Sequence, residues 1–404
     1  MQIRMRRYLL CYGAALLALG VAIVIFTVAV DPYRMYGTPP IIGLTEIKPR
    51  IYEQAAMAKT YQLERTTVAT IVLGNSRAEI GLDPDSSQWP EDARPVFNAA
   101  LAGRGLFTSV RMLQHALAIH PLKLVVIGLD FPDFLVPQSN GPSPEIGPDE
   151  LRLLVDRSGG PNGERARQLW RDRFNTTLTL DAVLDSLATV IGQNPSTGIT
   201  MTLAGFNPLN NYRLEVRRNG HFQLFSQKDR TYREQLTNLP KPDFTNLDHN
   251  AGFRSLKSLL RITAENDIQT ILFIHPYHAR YLEIIHESGL WETFEAWKRA
   301  IVCLIASEAD RRSTPIQLFD FSGYSDFTTE PVPLPNDTRT QMQWYWESGH
   351  YKSTLGERML ARIFHDTVAF GRTLDETNIE EALMEMRIAR AAFLKKESVT
   401  ELTN

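Results

Sequence analysis

Apolar residues are spaced along this chain in three rhythms, and each predicts a different kind of element. The first is an unbroken block: from Tyr8 to Val30 there is no charged residue, and Leu, Ala, Val and Ile dominate. A helix of that length, at ~1.5 Å per residue, reaches roughly 35 Å and can cross a bilayer core. Arg4, Arg6 and Arg7 precede the block, and Asp31-Pro32 closes it.

The second rhythm is short β-branched runs separated by helical spacing. Thr67 to Leu73 is an apolar run ending at Gly74, the pattern of a strand buried on both faces. Pro95 to Asn98 is a second, shorter strand. Leu106 to Ile119 carries Val110, Leu113, Ala116 and Leu117 on one helical face, and Leu122 to Leu129 is a third strand closed by Asp130. The alternation resumes with a helix over 252–264, a strand Thr270 to Ile274, a helical stretch over about 283–309 and a strand Ile316 to Phe319 ending at Asp320. Ser353 to Phe364 reads as a further helix with Leu355, Met359, Leu360 and Ile363 on its apolar face. Strand, helix and strand in turn predict an α/β fold around a parallel sheet.

The third rhythm is an interruption. Residues 136–163 hold five prolines and Gly-rich turns, and 164–245 mix one helix, Leu180 to Ile191, with polar, strand-poor sequence. The expected organisation is a cytoplasmic tip and transmembrane anchor (1–30), a juxtamembrane stalk containing Pro39-Pro40 (31–64), an α/β domain in two pieces (65–134 and 246–372), an inserted cap (135–245), and a C-terminal amphipathic helix and tail (373–404).

Composition narrows the partners. Forty-three Lys and Arg against 46 Asp and Glu leave a net charge of -3, with no basic excess to neutralise a phosphate backbone, so nucleic acid is not an expected partner. The two cysteines, Cys11 and Cys303, build neither a Cys-rich zinc site nor a disulfide framework; no cofactor, metal or internal disulfide is expected. The arginines before the apolar block keep that end in the cytoplasm. The chain is therefore expected as a single-pass protein of a bacterial inner membrane, held by residues 8–30, with the rest in the periplasm. A cleaved signal peptide is the alternative, but its apolar region runs shorter and ends in small residues.

Function in open α/β sheets gathers at the carboxyl ends of the strands. Those ends carry Gly74-Asn75-Ser76-Arg77, Asn98 to Gly103, Asp130, His275 to His278 and Asp320. A serine directly after a buried strand, at the start of a helix, has the placement a nucleophile needs. Ser76-Arg77-Ala78-Glu79 equally fits a capping box, with Ser76 as N-cap. Glu347-Ser348-Gly349-His350 sets a carboxylate three residues before an imidazole, so that it can orient the ring toward a serine; a surface loop histidine is the plainer reading.

Together these segments resemble the SGNH (GDSL-type) hydrolase superfamily: Gly-x-Ser after strand one, Asn98 with Gly103 after strand two, and acid-x-x-His before the last helix, in that order. The likeness is strongest to its membrane-anchored extracytoplasmic branch, which includes alginate O-acetylation proteins and the D-alanyl transfer protein of lipoteichoic acid. It covers about 65–134 and 246–366. It implies a three-layer fold with a flavodoxin-like parallel sheet and acyl-ester transfer or hydrolysis on a cell-envelope or exported polysaccharide, with a membrane acyl donor or a polysaccharide-synthesis protein as partner. Ser76 would be the nucleophile, His350 the general base and Glu347 its orienting acid. The backbone N–H groups of Ser76 and Gly103 would form the oxyanion hole. Asn75, Arg77, Asn98, Asp130, His275, His278, Trp344 and Trp346 are the expected substrate contacts, with core packing or hydrogen-bonded structural roles as their alternatives. Two positions depart from the pattern. The third strand ends in Asp130 where the family offers an Asn side chain to the oxyanion, and the acid is Glu where Asp is commoner. That missing donor keeps a second class in view, a catalytically decayed glycan-binding or scaffold subunit. A lipase or thioesterase would need an apolar lid, against which the charges and prolines of 136–245 weigh.

Overall fold

A computed structural model describes residues 2–137, 146–194, 198, 200–309 and 311–403. In chain order its helices are α1 (Gln2–Val30), α2 (Ala55–Leu63), α3 (Ser76–Gly81), α4 (Leu106–Leu117), α5 (Pro148–Leu151), α6 (Arg165–Thr177), α7 (Leu180–Ile191), α8 (Asn210–Thr237), α9 (Ala251–Glu265), α10 (Ala279–Glu287), α11 (Trp291–Ala309), α12 (Ser353–His365) and α13 (Ile379–Thr403). The strands are β1 (Thr70–Leu73), β2 (Val96–Asn98), β3 (Leu124–Leu129), β4 (Gln269–Ile274), β5 (Ile316–Asp320), β6 (Tyr345–Glu347), β7 (His350–Tyr351) and β8 (Arg372–Thr373).

The chain divides into two compact units. The first comprises residues 1–66, 146–201 and 209–211. Its α1 is apolar and long enough to cross a membrane, with mean hydropathy 2.6 over its most apolar stretch. Within residues 31–64, expected as a juxtamembrane stalk, α2 is buried along almost its whole length, and Tyr33, Met35, Met57 and Tyr61 form a small core. Asp172 organises the rest of the unit. It accepts hydrogen bonds from Tyr61 Oη (2.8 Å), Arg152 Nε (2.7 Å) and Gln168 Nε2 (2.8 Å), which is why a carboxylate is tolerated at 1% exposure. The segment expected as an inserted cap, 135–245, is divided between the two units. Residues 146–201 belong with the first unit, whereas 202–208 and 212–245 belong with the second.

The second unit is built on a six-stranded sheet of order β2-β1-β3-β4-β5-β8, parallel except for the antiparallel edge strand β8. Strands β1, β2 and β3 are buried at every position, the consequence of helices covering both faces. The order reverses between β1 and β3, so a crevice opens at the carboxyl ends of those two strands. Val72, Val126, Ile271, Phe273 and Phe319 meet Leu355, Met359 and Leu360 of α12 in the core.

Three details differ from the expected elements. The helical stretch over 283–309 is two helices, α10 and α11, broken where Gly289 takes φ +66°. Helix α8 occupies part of the segment expected as polar and strand-poor, and Glu347 and His350 lie on a small hairpin rather than a loop. The C-terminal helix α13 is docked on the second unit through Arg387 Nε to Glu295 Oε1 (2.8 Å) and Arg390 Nη2 to Glu283 Oε2 (2.6 Å).

Candidate functional site

The site begins at the turn leaving β1. Gly74 adopts φ +139°, a backbone state open to a residue without Cβ, and the chain turns directly into α3. The N-cap is Asn75, whose Oδ1 accepts from Arg77 N at 3.0 Å. The capping-box expectation for Ser76 is therefore corrected. Ser76 is the first helical residue, its hydroxyl is released from capping, and its Oγ lies 2.8 Å from His350 Nε2. The two residues are 274 positions apart in sequence.

His350 is delivered by the hairpin β6–β7, whose turn is Ser348-Gly349. A Cβ at Gly349 would overlap the Tyr232 phenol, so the turn lets α8 approach. Glu347 is fully buried, and its Oε1 meets His350 Nδ1. Its Oε2 accepts from Gly349 N at 2.7 Å, and Tyr232 Oη donates to Oε1 at 3.1 Å. Burial alone would push the Glu347 carboxyl up; the charge and hydrogen bond of His350 and the Gly349 N–H outweigh it and hold the group below its ordinary value. Tyr232 also lies 3.3 Å from His350 Nδ1. Asp229, one turn earlier on α8, accepts from the Ser348 hydroxyl and pairs with Arg280 Nη2 at 2.7 Å, fixing the hairpin turn. Close glycine contacts set the approach of the hairpin to α3: a Cβ at Gly81 would overlap the Tyr351 ring, and one at Gly356 would overlap the Gly81 carbonyl. A carboxylate-held imidazole with its far nitrogen on a serine hydroxyl can draw off the hydroxyl proton.

Asp130 is not an open carboxylate facing this site. It is 2% exposed and receives Asn75 Nδ2 (2.6 Å), Tyr277 Oη (2.7 Å) and Arg77 Nη1. Arg77 is buried with it, its guanidinium 5.3 Å and 5.0 Å from the ring centroids of Tyr277 and Tyr281. Burial disfavours that cation, but Asp130 outweighs burial and holds Arg77 firmly protonated. Asn75, Arg77 and Asp130 thus form a brace beneath the Ser76 turn, and the expectation that Arg77 and Asp130 contact substrate is corrected.

Other expected contacts are also structural. Asn98 is fully buried; its Nδ2 donates to the carbonyls of Ala78 (2.9 Å) and Leu82 (2.8 Å), tying down the end of α3, while its Oδ1 accepts from Ala100 N (3.1 Å). His275 is fully buried, with Nδ1 3.2 Å from Tyr351 Oη and its ring against Gly128; burial pushes it down to about 3. His278 caps α10, accepting from Arg280 N, with Nε2 2.9 Å from the Glu330 carbonyl; burial pushes it down to about 4. Trp344 packs on Phe327 beneath Arg358. Gly103 sits on an exposed turn at φ +68°, and among the described residues its N–H and that of Ser76 make no hydrogen bond.

Trp346 is different. It is largely buried, with the Lys352 ammonium 4.5 Å from its ring centroid, and it lines a cleft of about 620 Å³. The same cleft is lined by Arg213, Arg217, Arg339 and Lys352, and none of the four makes an ion pair among the described residues. Trp346 directly precedes Glu347 on β6, at an irregularity in the register between Tyr345 and Glu347. Tyr232 was not identified from sequence; no short motif marks it, and it enters through α8. Among the described residues no group of three or more His, Cys, Asp or Glu is placed to hold a metal ion. No protein-family model and no curated protein matches this chain.

Proposed function

We propose that this chain is a membrane-anchored, extracytoplasmic acyl-ester transferase or esterase with an SGNH-like site, acting on a cell-envelope or exported polysaccharide. The observation that carries the reading is the Ser76–His350–Glu347 array at the β1/β3 crevice, with a 2.8 Å link across 274 residues. The strand order 2-1-3-4-5 is also the flavodoxin-like order expected for such a domain.

In this mechanism Ser76 Oγ attacks the acyl carbonyl carbon as His350 Nε2 takes the hydroxyl proton. Glu347 holds the ring in the tautomer that leaves Nε2 free and stabilises the imidazolium. The unbonded N–H groups of Ser76 and Gly103 receive the oxyanion. Collapse expels the alcohol, which takes its proton from His350, and leaves an ester on Ser76. A glycan hydroxyl or water, deprotonated by His350, then attacks that ester and regenerates Ser76. The glycan assignment is supported by the cleft beside the hairpin: an aromatic wall at Trp346 suits a sugar face, and four cations suit a polymer carrying acidic groups.

One observation favours a non-enzymatic glycan-binding or scaffold role: β3 ends without the amide donor of the family pattern. The brace formed by Asp130 and Arg77 places that residue in support of the nucleophile turn instead, which leaves the enzyme reading the better supported. Turnover of a small aryl acetate tests it. Wild type hydrolyses the ester and Ser76→Ala, folded by circular dichroism, does not; equal rates in both would reject the reading.

A further inference from the structure

Helix α7 is inside out. Its buried residues Ala182, Ser186 and Thr189 recur at i, i+4 and i+7, and the Ser186 and Thr189 hydroxyls are bonded to the helix's own carbonyls at 2.7 and 2.8 Å. On the opposite face Leu180, Leu184, Leu187 and Ile191 form a stripe at i, i+4, i+7 and i+11, and they are 72%, 51%, 44% and 82% exposed. A helix that packs against water does the reverse. The preceding helix α6 exposes Trp170 at 69% and Phe174 at 57%, interleaved with the exposed Arg167, Arg171 and Arg173. An apolar patch of this extent on a soluble surface marks a partner.

The neighbouring α1 says which partner. Helices α6 and α7 pack on the last third of α1, where Thr27 Oγ1 donates to the Thr177 carbonyl at 3.3 Å. Upstream, α1 is exposed on all sides from Ile3 to Leu19, whereas from Gly20 to Val30 it is progressively covered. Ten residues of helix span ~15 Å, about half of a hydrocarbon core. If α1 crosses the membrane, the junction of α6 and α7 lies beside the lipid-level segment of α1, in the leaflet it leaves.

We infer that the α6–α7 hairpin is a second membrane element, lying in that leaflet with the Leu180–Ile191 stripe toward the acyl chains. Trp170 and Phe174 sit at the interface, and the α6 arginines face anionic headgroups. The occupant is lipid rather than another protein because α7 packs directly on α1, the helix apolar and long enough to cross a membrane, and exposed aromatic and basic residues accompany the stripe as they do on interfacial helices. Seating the first unit in this way fixes it against the bilayer instead of leaving it on a single tether.

Site-directed labelling of the full chain tests this in vesicles of phosphatidylethanolamine and phosphatidylglycerol. With Cys11→Ala and Cys303→Ala as background, an environment-sensitive dye is placed at Leu184→Cys, at Ile191→Cys, at Leu17→Cys in α1 and at Glu265→Cys, exposed on α9. The expected result is blue-shifted emission at both stripe positions, with quenching by spin-labelled lipids several-fold above that at Glu265→Cys and comparable to Leu17→Cys. Quenching at Leu17→Cys with wet, unquenched stripe positions would overturn the proposal while leaving the anchor intact. Blue-shifted but unquenched stripe positions would overturn it in favour of a protein covering the face. No quenching at Leu17→Cys would remove the anchor and the proposal together.

Discussion

Replacing Asp130 with Asn separates two roles for that residue. If the site were a catalyst short of one oxyanion donor, restoring an amide at the end of β3 would raise the rate of ester turnover. The structure predicts the opposite. Asp130 accepts three hydrogen bonds and is the charge partner of Arg77, and their side chains are 3% and 8% exposed. An amide of the same shape keeps one acceptor, turns an N–H₂ group toward a donor, and leaves the Arg77 guanidinium buried without its counter-ion. Breaking a buried pair from one side costs about 3–5 kcal/mol. The Tyr277 and Tyr281 rings flank the guanidinium in both proteins, so they do not offset this loss. A loss of about 3–5 kcal/mol is expected, a fall in Tm of roughly 4–8 °C for a protein of this length. Thermal and urea unfolding followed by circular dichroism in detergent measures it. Adding Arg77→Met to Asp130→Asn should recover much of the loss, because no charge is then stranded. An Asp130→Asn protein within 1 kcal/mol of wild type, or one with faster turnover, would refute the brace.

Other outcomes follow from the same geometry. Tyr232→Phe removes one hydrogen bond to Glu347, about 1 kcal/mol, so turnover should fall roughly five-fold with KM little changed; an unchanged rate would leave Tyr232 a packing residue. Glu347→Gln leaves the His350 ring without a charged partner and should cost roughly 10³–10⁴ in turnover. Stability should also fall on acidification below pH 6.5. His275 and His278, with His221 pushed down to about 4 chiefly by burial, refuse protons that the unfolded chain accepts from 6.5 downward. The loss grows as pH drops and levels off near the folded values. At pH 5 it is about 2 kcal/mol per histidine. The difference in unfolding free energy between pH 7.5 and pH 5 should therefore shrink by about that amount in His275→Gln, and an undiminished difference would contradict its buried neutral state.

The parts of the fold legible in the sequence are those whose hydrophobic signal is strong and local. Four β-branched or Leu-rich runs became β1, β3, β4 and β5: β1 and β3 are buried at every position, and β4 and β5 are buried from their second and third residues onward, so the signal is a short apolar run. Ser76, Glu347 and His350 could be singled out because a strand end and a four-residue acid–His interval constrain where side chains go. Helix α8 escaped detection because Gly220 turns the backbone to φ +77°, so the buried Val216 and the buried Leu224 and Phe225 do not share one continuous helical register. The β6–β7 hairpin is too short for period-two alternation to register. Asn98 and His275 end or directly follow strands, and that position alone makes them candidates to face the site. A strand end is also where buried carbonyls need donors, and sequence alone does not separate the two uses.

The central claim, that Ser76 is a nucleophile activated by His350, is tested most directly by a fluorophosphonate probe followed by mass spectrometry of the labelled peptide. The probe should modify Ser76 of the wild-type protein. The label should be lost in Ser76→Ala, which removes the attacking oxygen, and in His350→Ala, which removes the base 2.8 Å away. A folded wild-type protein that takes no label, or a Ser76 label undiminished in His350→Ala, would contradict the account.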